Sequence, residues 1–486
     1  MNGSSLRSPA VYFALSACAS VGLYLAASRL GGYLGFPLDD AWIHQTYARN
    51  LAAVGQFAFV PGQPSAGSTS PLWTALLALG YLGRIEYHLW TYSLGAVLLA
   101  LNAWLVYRLA LALFPAQAAA ALLAGMFAAL EWHLVWAAAS GMETLLFSAL
   151  ALAAFVLGNQ RPALLGLCVG LSVLARPDGL TLLPFALARI ILQRPNRVRG
   201  LLKLAAAFAV VFLLYLALNY QLSGSVWPNT FYAKQAEYAV LRAEPLWLRF
   251  GQVGAQPFVG AVALLGPGIV AAALQWGRAK RWEALLPLGW AVSFLAAYAV
   301  RLPVTYQHGR YVIPVIPVLV AVGVGGMAGL LGLRAPALFP RVASRTWAAA
   351  TALTVVAFFG LGARAYVRDV QVIETEMVAT ARWVNQNTSL GALVAAHDIG
   401  ALGYFGGRPV LDLAGLVSPE VIPFIRDEAR LRAWLAASGA QYLVTFPGWY
   451  PALSQALAGA RVYSTEAPYS PAAGGENLAV YRLSER

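Results

Sequence analysis

The sequence predicts a polytopic α-helical membrane protein that ends in a small α/β domain. Of its 486 residues, 60% are hydrophobic and only 11% are charged, with a mean hydropathy of +0.65. Soluble domains carry about 25% charged residues. Apolar runs close to the length that crosses a hydrocarbon core recur as far as residue 365, and shorter strand-like and helix-like segments follow them. A soluble globular protein is therefore excluded.

About eleven membrane crossings are predicted from these apolar runs. They are 10–30, 88–110, 117–137, 143–158, 162–175, 178–193, 202–219, 253–276, 283–300, 311–333 and 346–365. The runs 162–175 and 178–193 are short and meet at Arg176-Pro177-Asp178-Gly179, so a broken pair is the alternative to two full crossings.

The distribution of basic residues predicts the orientation. The net charge is +13, and basic residues cluster in every second connection. They are Arg7, Arg108, Arg161, Arg194, Arg197, Arg199, Lys203, Arg278, Lys280, Arg281, Arg334, Arg341 and Arg345. Short basic loops of this kind lie on the cytoplasmic side, which explains the charge without a nucleic-acid partner. The chain is thus predicted to lie in the plasma (inner) membrane with its C-terminal domain outside the cytoplasm.

Two parts of the chain are predicted outside the membrane on this scheme. The first outer loop, 31–87, carries an amphipathic pattern over Ala41–Val54, expected in the interface, and a short apolar helix over 72–83. The membrane part is predicted to span 1–365 and the soluble α/β domain 366–486. In the latter, we expect a helix over Arg364–Asn387, buried strands at Ala392–His397 and Tyr442–Phe446, and a helix at Leu431–Ala437.

The adjacent carboxylates Asp39 and Asp40 are the strongest chemical signal. Because like charges repel, one could be held by a cation or metal while the other stays free as a base. The alternative is a helix N-cap followed by a first-turn acid, since aspartate is favoured at both positions.

Further polar residues fall on the same predicted outer face. Glu131 (with His133), Glu143 and Asp178 lie in three separate turns there, and acids near a membrane core are costly, so a polar cavity is indicated. A helix start at the interface is the alternative for each of these acids. The loop Trp227–Lys234 combines aromatics suited to sugars with a cation suited to phosphate, and His308 and Arg310 start a later helix. Interfacial anchoring is the alternative for these aromatic and basic residues.

The sequence also resembles a known enzyme class. Asp39-Asp40-Ala41-Trp42-Ile43, Gly67-Ser68-Thr69-Ser70-Pro71-Leu72-Trp73, Ser140-Gly141-Met142-Glu143, Arg176-Pro177-Asp178-Gly179 and Pro228-Asn229-Thr230-Phe231-Tyr232-Ala233-Lys234 carry the resemblance. Together they resemble GT-C glycosyltransferases that use polyprenyl-phosphate sugars, and most closely the terminal β-1,2-arabinofuranosyltransferases.

The resemblance implies a single inverting displacement in which a polyprenyl-phosphate sugar, expected to carry arabinofuranose, donates to a cell-envelope glycan. Asp39 is the favoured base, and Asp40 would orient it or bind a divalent cation such as Mg or Mn. Donor-binding or acceptor-binding roles are predicted for His44, Tyr47, Arg49, Ser70, Glu143, Arg176, Asp178, Asn229, Tyr232, Lys234, His308 and Arg310.

Two questions stay open at this stage. A lipid-linked sugar flippase would also need many helices and a site for an amphiphile, although transporters usually place such sites at the membrane midplane. In the C-terminal domain, Tyr404, Phe405, Trp449 and Tyr450 either bind the acceptor glycan or form the core. The sequence predicts no oligomeric state.

Overall fold

The computed structural model describes residues 9–157, 161–192, 197–331 and 338–483. Seven helices in these ranges are long and apolar enough to cross a membrane. They are Pro9–Leu30, Tyr87–Leu113, Arg197–Ser223, Ala261–Arg278, Trp282–Arg301, Tyr306–Leu330 and Pro340–Asn387. The pair Ala118–Leu130 and Trp132–Ala139, bent by 48°, makes an eighth if it is one span. The multi-pass membrane prediction is confirmed, whereas the count of about eleven is not.

Three predicted crossings are short helices. Thr144–Val156, Pro162–Ala175 and Leu183–Leu192 have 13, 14 and 10 residues. At about 1.5 Å per residue, none of them reaches the roughly 30 Å of a hydrocarbon core. A Cβ on Gly166 would lie 2.2 Å from the carbonyl oxygen of Leu204, so the second of these helices packs backbone to backbone against Arg197–Ser223.

The first outer loop folds into two helices joined by a small hairpin. The loop helix Asp40–Val54 is followed by antiparallel strands β1 (Ala58–Val60) and β2 (Gln63–Pro64) and then by helix Pro71–Leu82. We expected the loop helix in the membrane interface, but both its apolar and its polar side chains are buried: Trp42 and Tyr47 are 0% exposed and His44 is 2% exposed.

One long helical stretch joins the membrane part to the C-terminal sheet. Leu338–Val372 continues through a π-helical turn, Ile373–Val378, into Ala379–Asn387. The predicted boundary at 365/366 therefore falls inside this stretch, and the helix expected over Arg364–Asn387 is its last part.

A mixed five-stranded sheet follows the long helix, in the order β4-β3-β5-β7-β6. The strands are β3 (Val394–Ala396), β4 (Val410–Asp412), β5 (Tyr442–Thr445), β6 (Arg461–Ser464) and β7 (Ala479–Arg482). β3 is parallel to both β4 and β5, whereas β7 is antiparallel to β5 and β6. The two buried strands and the helix between them (Glu428–Ser438) occur where the sequence predicted them, because continuous apolar runs are typical of central strands.

Some predictions concern residues outside the described ranges. These are Arg7, Arg194 and Arg334, the ends of three predicted spans at 158, 193 and 332–333, and the last residues of the C-terminal domain, 484–486.

Candidate active site

Asp39 and Asp40 point to different partners. The Asp39 side chain does not cap the loop helix that follows it. Its two carboxylate oxygens accept hydrogen bonds from the backbone N–H groups of Gly400 (2.7 Å) and Ala401 (2.8 Å). These groups begin a short helix of the C-terminal domain, Gly400–Phe405, called here the docking helix. Asp39 thus caps a helix, as the alternative interpretation of the sequence held, but a helix far along the chain.

Both oxygens of Asp39 are therefore occupied. The residue is 8% exposed, and burial raises its pKa to about 6 despite these two backbone hydrogen bonds. These surroundings do not favour Asp39, the base preferred from the sequence, because both of its oxygens are already hydrogen-bonded to the docking helix and little of the residue is exposed.

Asp40 lies among cations instead. Its Oδ2 atom accepts a hydrogen bond from Nη2 of Arg310 at 2.8 Å and lies 3.8 Å from Nζ of Lys234. Burial acts to raise the pKa of Asp40, but Arg310 and Lys234 outweigh it and hold that pKa well below its usual range. The lowered pKa keeps the Asp40 carboxylate ionised, and its 29% side-chain exposure leaves it accessible.

A strained turn positions Arg310. The residues before it, Gln307, His308 and Gly309, all adopt positive φ angles of 54°, 59° and 62°. Non-glycine residues in this region cost about 1–3 kcal/mol each and persist only where their surroundings hold them. His308 is held by Asp369 of the long helix, with 2.7 Å between Nε2 and Oδ2. We infer that the contact between His308 and Asp369 fixes the turn that precedes Arg310 and so sets the position of Arg310.

A second ionic cluster centres on Arg176. Its guanidinium lies 2.7 Å from both Asp178 Oδ2 and the hydroxyl of Tyr298, and 3.9 Å from Glu143 Oε1. Tyr298 also hydrogen-bonds Asp178. Glu143 and Asp178, two of the three acids that the sequence placed on this face, therefore meet at Arg176, whereas Glu131 lies against His133 at 2.8 Å and lines neither cavity described below.

The Arg176 cluster extends into the first outer loop. Glu143 Oε2 lies 3.4 Å from Nε2 of His44, whose Nδ1 is 3.1 Å from the hydroxyl of Ser68. Ser68 in turn shares a hydrogen bond of 2.9 Å with Thr74. His44 therefore orients Glu143 from the protein interior.

Two cavities meet at Asp40. The smaller has a volume of about 170 Å³ and the larger about 1030 Å³. Both are lined by Leu38, Asp40, Trp136, Lys234 and Arg310. The smaller is also lined by Glu143, Arg176 and Asp178, whereas the larger extends to Asp39 and the C-terminal sheet.

Three polar atoms of residues that line the smaller cavity lack hydrogen-bond partners. Nε of Arg310, Oγ1 of Thr230 and Oε2 of Glu143 are buried without a hydrogen bond to any described residue, although Oε2 of Glu143 lies 3.4 Å from Nε2 of His44. Buried polar groups are normally hydrogen-bonded, so unsatisfied donors beside a cavity indicate a ligand with acceptor atoms. With Lys234 adjacent, an anion fits best.

Several predicted site residues have structural partners instead. Tyr47 shares hydrogen bonds with Ser65 and Gly67, Arg49 donates to the carbonyls of Gly403 and Tyr404, Ser70 caps the helix that starts at Pro71, and Asn229 donates to the carbonyl of Leu416. Tyr232 is 39% exposed. None of these five predicted residues lines either cavity described above.

The sequence interpretation missed residues that line the larger cavity. Glu237, His397 and Asp398 lie there, and none of them is among the site residues that the sequence predicted. His397 and Asp398 are the first two residues after strand β3, and polar residues at the carboxyl end of a buried parallel strand are the signal that could have found them.

Asp40 does not fit the predicted role of a metal ligand. In the described ranges, no three His, Cys, Asp or Glu side chains are grouped to hold an ion. The neighbours of the Asp40 carboxylate are two cations, which would repel a divalent metal.

Comparison with solved structures places the fold. The chain is similar to ArnT from Cupriavidus metallidurans in the apo state, with a TM-score of 0.60, 14% identity, and coverage of 96% of this chain and 97% of ArnT. The ArnT structure bound to undecaprenyl phosphate gives a TM-score of 0.54 with the same identity and coverage. An Archaeoglobus fulgidus oligosaccharyltransferase, in complex with Zn and sulfate, gives 0.58 at 15% identity over 92% of this chain and 69% of its own.

At these identities the likeness shows the fold alone, which this chain shares with ArnT and with the oligosaccharyltransferase. Residues 365–481 match the model of a domain of unknown function (DUF8728). No curated protein sequence matches the chain significantly.

Proposed function

We propose that this protein is an inverting glycosyltransferase that moves a sugar from a polyprenyl-phosphate donor to a glycan acceptor on the outer face of the membrane. One observation carries the proposal: an ionised, accessible carboxylate, Asp40, lies at the junction of two cavities beside the cations Arg310 and Lys234. A transferase needs this arrangement because base, leaving phosphate and both substrates must meet at one point.

The smaller cavity is the site proposed for the donor phosphate. Arg310 offers its unpartnered Nε–H group and Lys234 its ammonium group, and both can stabilise the charge that develops on the leaving group. Arg176, also a candidate from sequence, is already paired with Asp178 and Tyr298, so we assign it to shaping the cavity. The fold likeness to ArnT bound to undecaprenyl phosphate supports a lipid-linked donor.

Asp40 is the proposed base. An acceptor hydroxyl attacks the anomeric carbon, the bond from that carbon to the phosphate oxygen breaks, and the hydroxyl proton passes to Asp40. Polyprenyl phosphate leaves, and the single displacement inverts the anomeric configuration. While Arg310 and Lys234 lie against Asp40, they make it a weak base. A bound phosphate shares these cations, and its arrival therefore raises the basicity of Asp40.

The sugar transferred is proposed to be arabinofuranose, on the sequence resemblance of the first outer loop. The acceptor is proposed to be a cell-envelope glycan, and the C-terminal sheet to lie outside the cytoplasm, next to the larger cavity.

The test compares Asp40→Asn with Asp39→Asn in purified protein given a panel of polyprenyl-phosphate sugars. We expect Asp40→Asn to lower release of polyprenyl phosphate roughly 100- to 10,000-fold, the usual contribution of a positioned base. The same variant should bind polyprenyl phosphate at least as tightly as the wild type, because Arg310 and Lys234 no longer share an anionic partner.

Two outcomes would contradict the proposal. One is full activity in Asp40→Asn. The other is movement of the lipid-linked sugar across proteoliposomes, with no glycosidic bond formed and no effect of Asp40→Asn, which would identify a flippase.

A further inference from the structure

The larger cavity has a compartment away from the cations, next to the C-terminal sheet. Trp449 lines it and keeps 47% exposure although it contacts two other rings. His397 lies edge-to-face to it at a centroid distance of 4.7 Å, and Phe446 lies at 5.1 Å. A large aromatic surface that is braced by neighbours and still open to a cavity is a binding platform.

Polar groups of two parts of the chain converge beside this platform. His397 Nδ1 shares a hydrogen bond of 2.8 Å with the hydroxyl of Tyr450, and its Nε2 lies 3.3 Å from Oε1 of Glu237. Glu237 ends the outer loop helix Asn229–Glu237, whereas His397 follows strand β3. Asp398, the next residue, lines the same cavity and makes no hydrogen bond within the described part of the chain.

The charge of the lining selects the ligand class. In the described residues, seven carboxyl groups line the larger cavity, against four lysine or arginine side chains and His397. Two of the basic residues, Lys234 and Arg310, also line the smaller cavity, where the phosphate is proposed. A wall with more carboxylates than cations disfavours an anionic ligand, while carboxylates and a histidine suit the hydroxyl groups of a neutral one.

We propose that this compartment binds the terminal sugar of an uncharged glycan, the acceptor of the reaction. The C–H face of the sugar packs on Trp449, and Asp398 accepts a hydrogen bond from a hydroxyl. Glu237 of the membrane part and His397 of the C-terminal domain contact each other at the edge of this compartment. This inference rests on the proposed function, because a glycan bound here shares its cavity with Asp40.

The test measures binding in the absence of any donor, so it does not depend on turnover. Neutral tetrasaccharides of arabinose, mannose and glucose, and an anionic galacturonate tetramer, are titrated against the purified full chain by ligand-observed NMR. We expect a neutral oligosaccharide to bind and the anionic one to bind more weakly.

Variants then locate the site. Trp449→Ala should weaken binding of the neutral oligosaccharide roughly 3- to 10-fold, the range expected for loss of one aromatic contact. Trp449→Phe should retain part of the affinity, and Asp398→Asn should also weaken binding. Glu420→Gln, an exposed carboxylate outside both cavities, should change nothing.

Any other outcome contradicts either the acceptor site or the proposed function. Preference for the galacturonate tetramer, equal binding by Trp449→Ala and wild type, or no binding of any neutral oligosaccharide by folded protein contradicts the acceptor site. Neutral glycan binding that depends on Trp449, without transfer from any donor, contradicts the proposed function and leaves the site in place.

Discussion

Asp39 and Asp40 show how far the environments of two adjacent residues can differ. Asp39 accepts hydrogen bonds from two backbone N–H groups of another helix, whereas Asp40 lies next to the cations Arg310 and Lys234 at a cavity. Consecutive side chains on a helix start point about 100° apart, so one can face the C-terminal domain while the other faces the junction. At this scale the pair divides into a structural carboxylate, Asp39, and the carboxylate proposed as the base, Asp40.

Arg310→Gln is expected to change both donor binding and the pH dependence of transfer. The donor KM should rise roughly 10- to 100-fold, because a charge-assisted hydrogen bond to phosphate is lost. Arg310 lowers the pKa of Asp40, so its removal raises that pKa, and the acid limb of kcat/KM should move to higher pH. Steady-state kinetics over a pH series measure both effects.

The matched control is Arg432→Gln, an exposed arginine on helix Glu428–Ser438. It should leave donor KM and the acid limb unchanged. An Arg310→Gln variant with a normal acid limb would show that Asp40 is not the base.

At the scale of elements, the docking helix Gly400–Phe405 is held at both ends by the loop helix. Asp39 binds its first N–H groups, and Arg49 donates to the carbonyls of Gly403 and Tyr404 near its end. These contacts satisfy groups that any helix leaves unpaired. Tyr404 and Phe405, expected to bind glycan or pack, lie 5.0 and 4.7 Å from the ring of buried Trp42 and so form core.

Gly400→Ala is expected to disturb this junction. A Cβ at Gly400 would lie 2.0 Å from the carbonyl oxygen of Asp39, and backbone on that side cannot yield cheaply. We expect a loss of about 1–3 kcal/mol in the free energy of unfolding, as for overpacking, and a lower kcat because Asp40 shifts with Asp39.

Gly459→Ala is the control, since nothing lies within 4 Å of its Cβ position. Its melting temperature and kcat should match the wild type. If Gly400→Ala also behaved as wild type, the docking helix would not set the position of the Asp pair.

The elements show which features of the sequence are predictive. Apolar runs located the long membrane helices, and the serine before Pro71 caps its helix as local rules expect. The contact between Asp39 and Gly400 spans 361 positions, so no local pattern reveals it. The left-handed Gln307 and His308 are equally hidden, because a positive φ is uncommon for any non-glycine residue and only tertiary contacts hold them there.

At the scale of the whole molecule, three titratable groups outside the membrane helices act on stability in the same direction. Burial raises the pKa of Asp39 and of Asp412 to about 6 each. Burial acts to lower the pKa of His397, but its hydrogen bond and ion pair with Glu237 outweigh this and raise that pKa. All three groups therefore bind protons more tightly in the folded state than in the unfolded chain.

The melting temperature is thus expected to rise as the pH falls from 7.5 to 5. A group whose folded pKa is raised stabilises the fold most below its unfolded pKa, and this contribution is lost as pH rises through the folded pKa. The low pKa of Asp40 acts oppositely, but only at far lower pH. Differential scanning fluorimetry in constant ionic strength should show a rise of roughly 3–5 °C, on the scale of about 2–4 °C per kcal/mol that applies to domains of 150–250 residues. His397→Gln should flatten the upper part of this rise and Glu420→Gln should leave it intact.

A melting temperature that falls steadily between pH 7.5 and 5 would mean that protons are released on folding in this range, contrary to the environments of Asp39, Asp412 and His397.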